Sequence, residues 1–295
     1  SASIGCCANG DTSVTIAKNG SESDNDVDLD MDSSNEIFQD NDAKVKNDVD
    51  ADATTGDNDA NDNTNGDVRI DTGRAEVGVG ILNALNANFA SIGGGDDDEG
   101  GNGLSLWVVG NGTKSDNYID ADVDKSNTIT QDNEARVYND LDVDAKTGHN
   151  DANDNTGGEV SIDTGTATVD ALVANFGNFN WADLSCDCLF DDVTAKIADN
   201  GSESDNDIDL DLDDSNDLFQ DNYAKADNDL YLDAKTGKND AEDNTSGSDS
   251  DPSIDTGASE VNAEVVSQFN ANSAGIGGEF EFDFDWEEIL GSLGL

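Results

Sequence analysis

The residues best placed to do chemistry are aspartates set at every second position. Asp28, Asp30 and Asp32 form one run, Asp120, Asp122 and Asp124 a second, and Asp209, Asp211 and Asp213 a third. Asp50 and Asp52, Asp142 and Asp144, and Asp233 continue the pattern 22 residues further along. Alternate residues of a strand share a face, so each run presents its carboxylates on one side. Carboxylates held this close repel unless something neutralises them. Ca²⁺ answers the need best, because it takes six to eight oxygen ligands and tolerates irregular geometry. These aspartates are therefore expected to hold several Ca²⁺ ions, with Asn, Gln and turn carbonyls completing each shell. The short side chain fits too, since it keeps the carboxylate near backbone oxygens.

Other chemistries fit less well. The Asp-x-Asp-x-Asp runs begin like an EF-hand loop, but its sixth position is Ser33, Lys125 or Asp214 where glycine is required. Its twelfth is Gln39, Gln131 or Gln220 in place of glutamate. The bland alternative is a solvated acidic face that holds water and monovalent ions. Asp-Thr-Gly triplets at 71–73, 163–165 and 255–257 match the aspartic-protease signature locally. A protease faces two such loops across one cleft, whereas three at constant spacing read as turns. His149 is the only histidine and sits in a Thr-Gly turn, and the basic residues are scattered singly. No catalytic residues are assigned, and the chain is expected not to be an enzyme; a polysaccharide-acting enzyme is the alternative from that class. Asn19, Asn111, Asn200 and Asn244 begin Asn-x-Ser/Thr sequons, which predicts glycans along one side, although Asn-Gly turns write the same text.

Composition sets the outer limits. Among 295 residues there are 68 Asp or Glu against 13 Lys or Arg, a formal charge of −55. Such a surface repels nucleic acid and anionic membranes, because phosphate binding depends on Lys and Arg. No segment approaches the roughly 18 consecutive apolar residues of a membrane span. High charge with modest hydrophobicity is also the signature of disorder, but here the apolar residues are periodic and long repeats hold register. Cys6, Cys7, Cys186 and Cys188 form two close pairs. Neighbouring cysteines seldom bond one another, so the expectation is two bridges between the pairs, within one chain or between neighbouring chains. A four-thiolate metal site is the rival. Disulfides and an opening Ser1-Ala2-Ser3 without a leader fit a secreted, extracellular or cell-surface chain.

Two repeat lengths organise the elements. Asn25 and Asn47, Asn117 and Asn139, and Asn206 and Asn228 keep a step of 22. Ile-Asp-Thr-Gly recurs from Ile70, Ile162 and Ile254 at a step of 92. This divides the chain into an N-terminal cysteine-containing tail (1–12), repeat 1 (13–91), a Gly/Asp-rich linker (92–104), repeat 2 (105–175), an aromatic and cysteine linker (176–191), repeat 3 (192–272) and a C-terminal aromatic strand (273–295). Within repeats, apolar and acidic residues alternate, the mark of strands with one buried face. Asn-Gly and Thr-Gly clusters supply the turns. The predicted fold is all-β: a parallel β-helix, or β-solenoid, with coils of about 22 residues in three repeats of about 92. In that register Asp28 stacks on Asp50, Asp30 on Asp52, Asp120 on Asp142, Asp122 on Asp144 and Asp211 on Asp233. Three tandem β-sandwich domains are the alternative. The Asn, Asp and Gly punctuation resembles that of repetitive parallel β-helical surface or filament proteins of bacteria, which implies an extracellular structural role.

The C-terminal run differs from all of this. Phe280, Phe282, Phe284 and Trp286 alternate with Glu281, Asp283 and Asp285. An aromatic-faced strand of this kind caps a solenoid end or adds to a neighbouring subunit, a self-assembly element. Together these features predict a secreted, calcium-stabilised structural protein that polymerises with itself into an extracellular filament or surface layer. An adhesin stalk and an acidic ion- or mineral-binding protein are the other non-enzymatic expectations.

Overall fold

The computed structural model describes residues 1–4, 11–93, 103–185, 192–245 and 251–276. Both cysteine pairs and the aromatic run Phe280 to Trp286 lie outside the described residues. Among the described residues every regular element is a strand. A short β1 (Ala2–Ile4) precedes three coils. Coil 1 comprises β2 (Thr12–Ala17), β3 (Asp24–Gly56), β4 (Val68–Thr72) and β5 (Ala75–Gly93). Coil 2 comprises β6 (Gly103–Val109), β7 (Asp116–Gly148), β8 (Val160–Thr164) and β9 (Ala167–Ser185). Coil 3 comprises β10 (Asp192–Ala198), β11 (Asp205–Lys235), β12 (Ser253–Thr256) and β13 (Ser259–Ile276). Equivalent strands pair in parallel, giving sheets ordered β10-β6-β2, β11-β7-β3, β12-β8-β4 and β1-β5-β9-β13. The chain is a parallel β-solenoid.

Its coil is far wider than expected. Asp28 pairs with Asp120, and Asp120 with Asp209, so one coil is a whole 92- or 89-residue repeat rather than about 22 residues. The stacking of Asp28 on Asp50, Asp30 on Asp52, Asp120 on Asp142, Asp122 on Asp144 and Asp211 on Asp233 is accordingly replaced. The reason is arithmetic. Twenty-two is even, so a shift of 22 along one strand keeps a residue on the same face. Asn25 and Asn47 both point inward from β3, about 73 Å apart at the strand rise of about 3.3 Å. At that rise β3, with its 33 residues, is about 110 Å long.

Each coil is a flattened loop. The long strand forms one side, and β2 and β5, or their equivalents, form the other. Val27, Leu29 and Met31 pack against Val14 and Ile16. Ile37 meets Ala90 and Ile92. Val49, Ala51 and Ala53 meet Val77, Val79 and Ile81. Small inward residues are what so thin a two-layer interior accepts. Between the apolar clusters run asparagine columns. Asn41 donates to Asn133 at 3.0 Å and to Asn88, across the coil, at 2.6 Å. Asn47 donates likewise to Asn139 at 2.7 Å and to Asn83 at 3.1 Å. Buried amides must be bonded, and here they bond both along the stack and across it, tying the two layers together.

Turns stack in the same register. Asp57, His149 and Lys238 occupy one left-handed position, with φ of 56°, 59° and 52°. Asn86, Asn178 and Asn270 occupy another, within strands β5, β9 and β13, with φ of 49°, 58° and 65°. Asparagine tolerates this conformation better than most residues, and its amide here bonds to carbonyls of the facing long strand, as Asn86 does to Glu134. At the narrow end, the Thr55 hydroxyl donates to the Gly73 carbonyl, repeated by Thr147 with Gly165 and Thr236 with Gly257. The Asp-Thr-Gly triplets are thus placed one above another in closing turns.

Candidate cation-binding face

The outer side of the long sheet carries the aspartates. Parity along β3, β7 and β11 sends Val27, Leu29 and Met31 inward and Asp28, Asp30 and Asp32 outward. Pairing then builds columns: Asp28 with Asp120 and Asp209; Asp30 with Asp122 and Asp211; Asp32 with Asp124 and Asp213; Asp52 with Asp144 and Asp233. Asp50 and Asp142 form a column that ends at Tyr231. The sequence-predicted metal residues therefore do share one face, in columns with a spacing of about 4.8 Å, while neighbouring columns lie about 7 Å apart along the strand.

Compensation is uneven across this face. Towards the C-terminal end of the long strands, Lys146 pairs with Asp144, Lys235 with Asp233, Lys225 with Asp227 and Lys46 with Asp48. A hydrogen bond to Asp144 is the main reason the Lys146 ammonium is held above its ordinary pKa. Among the described residues, no such ion pair reaches the columns that start at Asp28, Asp30 and Asp32. There the carboxyls of Asp122 and Asp124 are pushed above the ordinary aspartate value. Desolvation contributes most, followed by neighbouring carboxylates: Asp124, Asp211 and Asp30 around Asp122, and Asp213 and Asp32 around Asp124. The phenol of Tyr118 is raised for the same two reasons, desolvation first and then Asp120, Asp209, Asp207 and Asp26. The middle coil feels both neighbours, which is why the shifts fall on it.

Among the described residues no three acidic, His or Cys side chains converge into a ready-made metal cage. The face is an array of columned carboxylates rather than a closed cage, and its spacing leaves room for a cation and water between neighbouring columns. Monovalent salt at 0.15 M screens over about 8 Å, longer than the spacings between columns, so it weakens this repulsion only in part.

Other assigned residues fall elsewhere. Asn111, 3% exposed, donates its side-chain amide to the Ile16 carbonyl. Asn200 donates to Val108 and Asn244 to Ala152. The nitrogen a glycan would take is engaged in each of these turns. Sequence reasoning missed Lys125, which lies inward between Ser33 and Asp214, is 4% exposed and, among the described residues, has no hydrogen-bond partner for its Nζ. The signal was present at the position where the EF-hand pattern fails. Phe38 and Phe219, expected from the sequence among the inward residues, instead face outward on either side of Thr130 and are 67% and 58% exposed.

Fold and face together define a wide-coil parallel β-solenoid with an aspartate-covered long sheet. No family model matches this chain, and no curated protein or solved structure matches it either. No helix among the described residues is long and apolar enough to cross a membrane.

Proposed function

We propose that this chain is a non-enzymatic structural subunit that self-associates into an extracellular filament or layer, with Ca²⁺ bridging its aspartate columns. One observation carries the reading: apart from β1 on β5, no described residue covers either end of the stack. In coil 2, Val169 and Val173 are fully buried, whereas Val261 and Val265, their partners in coil 3, are 45% and 46% exposed. Coil 1 is similarly open, since Val27 and Leu29 are only partly buried where Ile119 and Ala121 are fully covered. A solenoid with uncapped ends exposes apolar residues and unpaired strand edges, which templates further stacking. Stacking also brings carboxylates together, so it needs cations. Extracellular calcium modules work at roughly 10⁻⁴–10⁻³ M, and the extracellular setting proposed here would supply Ca²⁺ in that range.

The test is sedimentation and negative-stain imaging of the full chain in millimolar calcium, in chelator, and in sodium at matched ionic strength. Calcium-dependent polymers that dissolve in chelator are expected. Soluble monomers in millimolar calcium would sink the proposal, and equal assembly in sodium would remove calcium from it.

A further inference from the structure

Among the described residues, the coil 1 and coil 3 faces of the solenoid match each other in shape, hydrogen bonding and side-chain type. We infer that copies stack head to tail, coil 3 of one against coil 1 of the next, continuing every sheet in register; this contact presupposes the self-assembling role proposed above. Parallel sheets extend by translation alone, and a heterologous contact of that kind does not close on itself, so it produces an open filament.

Glycine columns give the sharpest evidence. A Cβ on Gly112 would lie 2.5 Å from the backbone of Gly20 and Ser21, and one on Gly201 would lie 2.5 Å from Thr113. A Cβ on Gly165 would meet Gly73 and Arg74 at 2.6 Å, and one on Gly257 would meet Gly165 at 2.4 Å. At these places glycine lets one coil approach the next. Gly20 and Gly73, the coil 1 members of the same columns, have nothing within 4 Å. Their missing Cβ atoms point away from coil 2, into the space that coil 3 of a preceding copy would fill. Among the described residues nothing makes close contact there, and a stack would.

The asparagine columns are also directional. Asn25, Asn35, Asn41 and Asn47 donate Nδ2 to the Oδ1 of Asn117, Asn127, Asn133 and Asn139. Those four donate onward to Asn206, Asn216, Asn222 and Asn228. Each column presents amide oxygen at coil 1 and amide hydrogen at coil 3, a donor end and an acceptor end for successive copies. On the outer face, continued register sets Phe219 beside Phe38 and Asp227 beside Lys46 of the next copy. It also sets Asp209, Asp211 and Asp213 beside Asp28, Asp30 and Asp32, so the contact depends on cations.

One strand must yield. Ala2 and Ile4 pair with Ala90 and Ile92. Through β9, Ala274 and Ile276 hold the same register positions in coil 3. In a stack, residues 274–276 of one copy and β1 of the next claim a single slot. β1 is three residues long, whereas 274–276 belong to an 18-residue strand, so β1 is the segment that leaves.

The test uses the full chain with Ser34→Cys and Ser215→Cys. Both residues face outward and pair with Ser126, so within one chain they are two strand spacings apart, about 9.6 Å. Across the inferred junction they are one spacing apart, about 4.8 Å, inside the range a disulfide bridges. Oxidation in calcium should give a ladder of covalent oligomers from the double variant and from neither single variant. Dimers from Ser34→Cys alone, or filaments without 34–215 cross-links, would overturn the inference while leaving self-assembly standing. Absence of any polymer would instead refute the underlying role. As a second arm, Gly20→Ala with Gly73→Ala should keep the circular dichroism and melting temperature of the monomer and lose filaments. Normal filaments from that variant would also overturn the head-to-tail contact.

Discussion

At the residue scale, the informative groups are Asp122 and Asp124, held above the ordinary carboxylate range by desolvation and by like charges along and across the columns. The sign of their effect on stability follows. A carboxyl whose folded pKa exceeds its unfolded value binds protons more tightly when folded, so it weakens the fold at neutral pH. That penalty is relieved as pH falls through the window between the raised folded value and the unfolded value of about 3.9, and it is absent below both. In chelator, the melting temperature of wild type should therefore rise relative to Asp122→Asn with Asp124→Asn as pH is lowered from 7 towards 4. With calcium the trend reverses, because protons displace the ion. Melting curves of both proteins across that range, with and without calcium, check the pair of signs. Parallel profiles in chelator would show that the columns carry no repulsion.

At the element scale, the asparagine columns hold the two layers of each coil together, and Asn133 is the best place to measure this. It is fully buried, accepts from Asn41 and Asn88, and donates to Asn180 and Asn222. Asn133→Ala leaves several of these amides unsatisfied and should cost about 2–4 kcal/mol in denaturant unfolding; the outward Ser126→Ala should stay within about 0.5 kcal/mol. β1 makes a second test: deleting residues 1–4 vacates the slot wanted by 274–276, so the lag before filament growth should shorten. A deletion that prevented growth would show that β1 stays in place. Much of this architecture was legible in the sequence. Alternation gave the strands, and the Asp runs were correctly put on one face. The coil length was not, because the 22-residue step of Asn25 and Asn47 preserves the face as well as the true step does. What separates the two steps is that Asn-Gly and Asp-Thr-Gly recur at the long one and never at the short one. Turns stack only where coils do, so turns and not strand residues report the coil. The directional amide columns and the buried Lys125 were illegible because they depend on which strand lies opposite.

At the scale of the whole molecule, the unusual quantity is the ratio of width to height. A coil whose long side is about 110 Å rises only one strand spacing, so three coils make a slab far wider than it is tall. A parallel stack of such slabs is a ribbon whose axis runs along the hydrogen bonds and across the strands, as in cross-β assemblies. Each copy then adds three spacings to the filament, and helical reconstruction or fibre diffraction should give an axial rise per subunit of about 14 Å with a strong reflection near 4.8 Å. The competing arrangement joins slabs at their narrow ends, where the turns around Gly56 and Gly73 lie, and would repeat at about 110 Å with the strands along the axis. The two differ nearly eightfold in rise and by a right angle in strand direction. A 14 Å rise would also explain the charge pattern: a continuous outer sheet repeats its carboxylate columns without limit, so neutralising ions become a condition of growth and calcium supply becomes the control on filament length.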